Sequence, residues 1–241
     1  MDTLMKRCVY FALLLLAMLS MNSLAHTTIK WGTDHWTGFT DYDGSGFYNE
    51  LMRSIYPEPD FILDVQYYPW KRSLKYIAQA SIDMTGAVHI TSTLYHSHRP
   101  IIIDRVVMVS RKQDALNIKL LNKKLGAYRS GYEDMVFYPY LSSAIMGVEV
   151  QDSYKGIALL SQEKVDFYVG ADSMVQQALE ARDDKAEFDI SEIGQFELYW
   201  SFAKNPKGLA LKNRFDQQLD VLREQGVLAQ LYYKYDLTMP F

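Results

Sequence analysis

Cysteine is almost missing: the 241 residues hold one, Cys8. It lies within residues 1–25, a stretch that reads as a removable leader, so the mature chain would form no disulfide and offer no thiol nucleophile or thiolate metal ligand. Beyond that leader, no apolar run approaches the roughly 18 residues that a membrane-spanning helix requires. Basic clusters are lacking too. With 25 Lys and Arg against 29 Asp and Glu, the net charge is −4, which argues against nucleic acid and anionic membrane surfaces as partners. No nucleophile elbow, phosphate loop or zincin helix occurs, and no cofactor is expected.

The leader is defined by what it contains. Lys6 and Arg7 precede the apolar run Cys8–Met21, and Ser23 and Ala25 supply small residues before a cut that would make His26 the first mature residue. Cys8 opens the run instead of closing it, so it does not sit where a lipid-anchor cysteine would. A periplasmic, monomeric protein is expected.

Hydrophobic periodicity then predicts two α/β units. In the first, "TTIKWGT" (27–33) reads as a strand and "FYNELMRSIYP" (47–57) as a helix, with Phe47, Leu51 and Ile55 four apart. A strand at 61–69, a helix at 70–81 and a strand at 82–90 follow, then a long β-branched segment at 99–112. The second unit predicts strands at 123–128, 148–153 and 165–171, with a turn feeding a helix over 129–141 and helices at 154–164 and 172–182. Residues 197–204 read as a strand returning to the first unit, and two helices broken at Gly226 close the chain. This order predicts two lobes, each a mostly parallel sheet flanked by helices, joined by two extended crossings. The boundaries expected are 26–109 for the first part of lobe one, 110–199 for lobe two and 200–241 for the return.

Six segments in order, "DGSGFYNELMRSIY", "YPWKRSLKYIAQASIDMTGA", "HSHRPI", "KLGAYRSGYED", "LLSQEKVDFYVGAD" and "FDQQLDVLREQGVLAQLYYKY", together resemble the bacterial periplasmic solute-binding proteins of family 3, best known for amino-acid uptake. The resemblance spans nearly all of the mature chain. It implies the type II periplasmic binding fold and a small polar or amino-acid-like ligand held between the lobes. The implied partner is an ABC permease or a membrane sensor.

In that family a Thr and an Arg after the strand bearing Asp83 clamp the ligand carboxylate. Here Ala87 and His89 fall in that stretch, but no arginine does. A bidentate arginine is the usual partner of a planar carboxylate, which leaves Arg72 and Arg129 as candidates, with a solvated surface position the plainer fate of each. Ser130 and Gly131 would form an anion-attracting helix start, or would merely cap a helix. Asp172 corresponds to the second-lobe aspartate that meets a ligand ammonium, or serves as an N-cap. Trp36 and Trp70 sit where loop aromatics frame an apolar portion. Arg111 is expected on the surface. The five histidines, His26, His35, His89, His96 and His98, lack metal-ligand spacing. A second reading is an exported dehydratase or lyase on the same fold, with Glu133 or Asp134 as the acid.

Overall fold

Ile29 and Trp31 alternate on one face of β1 (Thr27–Thr33) and are both buried, the pattern of a strand packed against helices. The computed structural model describes residues 26–114, 118–142 and 144–241, so the expected leader lies outside the described residues. No helix among them is long and apolar enough to cross a membrane.

After β1 come α1 (Phe47–Ile55), β2 (Phe61–Tyr67), α2 (Trp70–Ala78), β3 (Met84–Val88), the two-residue β4 (Tyr95–His96) and β5 (Ile102–Arg111). β6 (Leu125–Arg129), β7 (Met146–Val150), α3 (Ser153–Ser161), β8 (Phe167–Ala171) and α4 (Asp172–Glu180) form the second alternation. β9 (Phe188–Phe202), α5 (Pro206–Glu224) and α6 (Val227–Lys234) close the chain.

The strand order is β2-β1-β3-β9-β5-β8-β6-β7, with β4 also on β9. β1 lies parallel to β2 and β3, and β6 lies parallel to β7 and β8. β9 and β5 are the antiparallel members. The front of β9 pairs with β5 from Phe188↔Arg111 to Leu198↔Ile102, and its end pairs with β3 at Phe202↔Met84. One 15-residue strand therefore belongs to both halves. The carboxyl ends of β1, β3, β6 and β8 all lead into the connections that carry the candidate site, the habitual ligand edge of α/β sheets.

Local chemistry accounts for the helix ends. Asp152 caps α3 by accepting from the Lys155 backbone N–H at 2.8 Å, and Asn205 caps α5 by accepting from Gly208 N–H at 2.8 Å, with Pro206 at the first turn. Gly226, at φ 75°, ends α5 as the sequence predicts. α1 buries Phe47, Leu51 and Ile55 as their spacing predicts.

Three expectations are corrected. The return strand begins at Phe188, not Glu197: its front, with Asp189–Glu192 exposed, is held by pairing with β5 and not by a buried face. The helix expected after the turn in 129–141 is one five-residue π turn, Glu133–Phe137. Arg111 is not a surface side chain. Its guanidinium donates to the Leu160 and Val165 carbonyls and lies 2.6 Å from Asp114, leaving it 13% exposed.

Candidate functional site

Asp34 follows directly on β1 and is fixed by its loop. Thr40 Oγ1 donates to the Asp34 carbonyl at 2.7 Å and accepts from Trp36 N–H at 3.1 Å. The loop seats the Trp36 ring on Phe39, with centroids 3.8 Å apart, and edge-on to Tyr48. From the other half, Arg129 at the end of β6 reaches across, and its Nη2 forms an ion pair with Asp34 Oδ2. Both side chains are largely buried, 10% and 17% exposed. Arg129 Nη1 also faces the Tyr132 hydroxyl at 3.3 Å and Met174 Sδ at 3.2 Å, and the guanidinium lies 4.9 Å over the Tyr132 ring.

The second crossing is made by α2. Lys71 Nζ lies 2.7 Å from Glu149 and 3.2 Å from Glu133. The bond to Glu149, then that to Glu133, raises the Lys71 pKa, and the bond from Lys71 lowers that of Glu149. Gly131 permits this approach. It holds φ 84°, and an added Cβ would stand 3.0 Å from Trp70 Cδ1. Ser130 does not cap the π turn, whose N-cap is Tyr132. Its hydroxyl donates to Glu149 at 2.9 Å. The Gly131 N–H is taken by Glu133 Oε2 at 2.8 Å, so the expected anion cradle already holds an internal carboxylate.

At the start of α4, Asp172 is buried, pairs with Arg105 from β5 and accepts from Gln176 Nε2 at 2.9 Å. It does not cap α4, whose N-cap is Ala171. Beside it, Asp104 accepts from Ser173 Oγ at 2.6 Å and from Arg105 N–H at 2.8 Å. Burial raises the Asp104 pKa despite those bonds. Burial likewise raises the hydroxyl pKa of Tyr132 and of Tyr48.

Three cavities surround this junction. One of about 560 Å³ is lined by Asp34, Tyr67, Tyr68, Trp70, Arg129 and Ser130. A second of about 270 Å³ lies between Trp70, Leu74, Val88, His89, Gly131 and Met135. The third, about 160 Å³, is walled by Trp36, Arg129, Asp152, Met174 and Gln177. The indole N–H groups of Trp36 and Trp70 and Arg129 Nε are buried without hydrogen-bond partners. Buried donors in that state favour an acceptor that reaches them.

The structure thus gathers Trp36, Trp70, His89, Arg129, Ser130 and Gly131 onto these cavities. Ala87 lies in β3. Arg72 is exposed on α2, and its neighbour Lys71 is the cation turned to the other half. Sequence reasoning missed Asp34, Lys71, Asp104 and Arg105. Asp34 carried a usable signal, a charged residue at the carboxyl end of a predicted strand. Arg105 meets Asp172 only through the β5–β8 pairing, to which no local pattern points. Among the described residues, no three His, Cys, Asp or Glu side chains converge as a metal site requires.

No protein-family model and no curated protein matches the chain. Solved structures do. An ABC uptake transporter substrate-binding protein from Streptococcus pneumoniae with bound histidine superposes with a TM-score of 0.71 at 16% identity, over 86% of this chain and 92% of that one. A histidine kinase sensor domain similar to periplasmic binding proteins gives 0.71 at 16% identity, over 87% and 96%. An ancestral amino-acid-binding protein, a precursor of cyclohexadienyl dehydratase, gives 0.66 at 16% identity, over 86% and 94%. The chain therefore has the two-lobe α/β fold of the type II periplasmic binding proteins.

Proposed function

We propose that the protein is a periplasmic receptor that captures a small polar, amino-acid-like solute between its lobes and presents it to an ABC permease or a membrane sensor. Neighbours of both kinds share the fold. The observation that carries this reading is the Asp34–Arg129 pair, which joins the halves inside a cleft whose Trp36, Trp70 and Arg129 donors lack partners. Such donors, fixed by packing and shielded from water, are suited to a solute that contacts both lobes and favours the closed arrangement.

We further place the crossings at the start of β5, near Ile102, and in β9 near Leu198. Val106–Ser110 pair with β8, which supports a first boundary several residues before 109/110. The lyase reading gains no support from Glu133, whose carboxylate is engaged by Lys71 and Gly131 N–H.

The test is thermal denaturation of the chain from His26 against free amino acids, polyamines and small carboxylates. Any solute that binds only the folded state must raise the melting temperature. At a hundredfold excess over Kd the gain is about 2.7 kcal/mol, and about 2–4 °C accompanies each kcal/mol for a chain of this size. If no class of solute shifts the transition, the receptor reading fails.

A further inference from the structure

Most of the charged side chains that line these cavities already have partners, and the manner of pairing restricts the solute. Lys71 is held by Glu133 and Glu149, Asp172 by Arg105 and Gln176, and Asp152 by the α3 backbone. Asp34 and Arg129 differ. They line the 560 Å³ cavity from opposite lobes, and each has the other as its ionic partner. Arg129 retains a buried, unpartnered Nε on the same guanidinium.

A solute of one sign cannot use this pair well. An anion drawn to Arg129 would compete with Asp34 and leave that carboxylate uncompensated in a largely buried site, and a cation drawn to Asp34 would strand Arg129 in the same way. A zwitterion avoids both outcomes. Its carboxylate replaces Asp34 on Arg129, its ammonium replaces Arg129 on Asp34, and neither side chain loses its counter-charge. Tyr67, Tyr68 and Trp70 wall the rest of the cavity, with room for a side chain.

We propose that Asp34 and Arg129 are a zwitterion clamp, Arg129 of the second lobe taking the carboxylate and Asp34 of the first lobe taking the ammonium of a free amino acid. This rests on the receptor reading above. It reverses the polarity that the family resemblance implies, in which the first lobe supplies the arginine and Asp172 meets the ammonium. Asp172 is already committed to Arg105, and the first-lobe arginine is missing, so both departures agree with the reversal.

The experiment titrates the chain from His26 with each common L-amino acid and, for every one that binds, with its decarboxylated amine and its deaminated acid. Wild-type protein should bind the amino acid at least tenfold more tightly than either one-charge counterpart. Asp34→Asn should weaken the amino acid by more than tenfold and strengthen the deaminated acid. Arg129→Gln should mirror this, favouring the amine. Asp34→Glu, which keeps the charge, should retain more affinity than Asp34→Asn, and an equal loss in the two would overturn the clamp. So would a one-charge counterpart that binds the wild type as well as the amino acid does. If the wild type is stabilised only by solutes that are not zwitterions, the clamp falls and the receptor reading stands. If nothing binds, both fall.

Discussion

Arg111 and Asp104 show how burial changes the role of a charged side chain. Arg111 ties β5 to the end of α3 through two carbonyls, so Arg111→Ala leaves buried acceptors unpaired and should cost roughly 2–3 kcal/mol of stability. Solute affinity should not change, because Arg111 lies away from the cleft cavities. Urea denaturation paired with a binding titration checks this, and a loss of affinity without a loss of stability would contradict it. Asp104 sets a pH dependence. Its folded pKa is raised above the unfolded one by burial, so the native state keeps the proton longer, and stability falls as pH climbs through the window above the ordinary carboxylate range. Asp104→Asn should remove that fall, making the variant gain on the wild type from roughly pH 4 towards neutrality. Parallel stability curves for the two proteins would reject the assignment. Neither role was legible in the sequence. Arg111 reads as one more polar residue at a strand end, and the hydroxyl that donates to Asp104 comes from α4, about seventy positions away.

At the scale of elements, patterning conveyed most of what local physics controls. The helices α1 and α5 and the strand β1 follow their apolar spacing, β8 is a short run buried throughout, and Gly226 and Pro57 mark ends as their backbone chemistry demands. β9 was legible only at its buried end, because its exposed front is held by pairing with β5 and not by any hydrophobic face. Helix α2 shows how finely a site depends on rotation. Arg72 was the expected cation, yet one residue along a helix turns a side chain by about 100°, and Lys71 is the one that meets the opposite lobe. The Lys71 contacts are exposed, so Lys71→Gln should weaken solute binding by less than about fivefold and lose its effect in high salt. Arg72→Gln should do nothing. A larger effect from Arg72 than from Lys71 in the same titration would show that the helix presents the other face in solution.

The whole molecule is two α/β halves sharing β5 and β9, with the charged and aromatic residues of the site drawn from strand ends on both sides. The ordered motifs made this architecture readable, since each reports a local element and their sequence order fixes the topology. The candidate site was readable only in part: Trp36, Trp70, His89, Arg129, Ser130 and Gly131 line its cavities, whereas Asp34, the ionic partner of Arg129, becomes visible once the halves face each other. Solute capture requires those halves to be separable, because a solute enters the proposed clamp only if Arg129 and Asp34 part and close again around it. Small-angle X-ray scattering of the chain from His26, without solute and then saturated with an amino acid that raises its melting temperature, tests this most directly. A smaller radius of gyration is expected on saturation, and no such compaction for Arg129→Ala at the same amino-acid concentration. An unchanged radius in the wild type, with binding demonstrated in the same sample, would contradict closure around the solute.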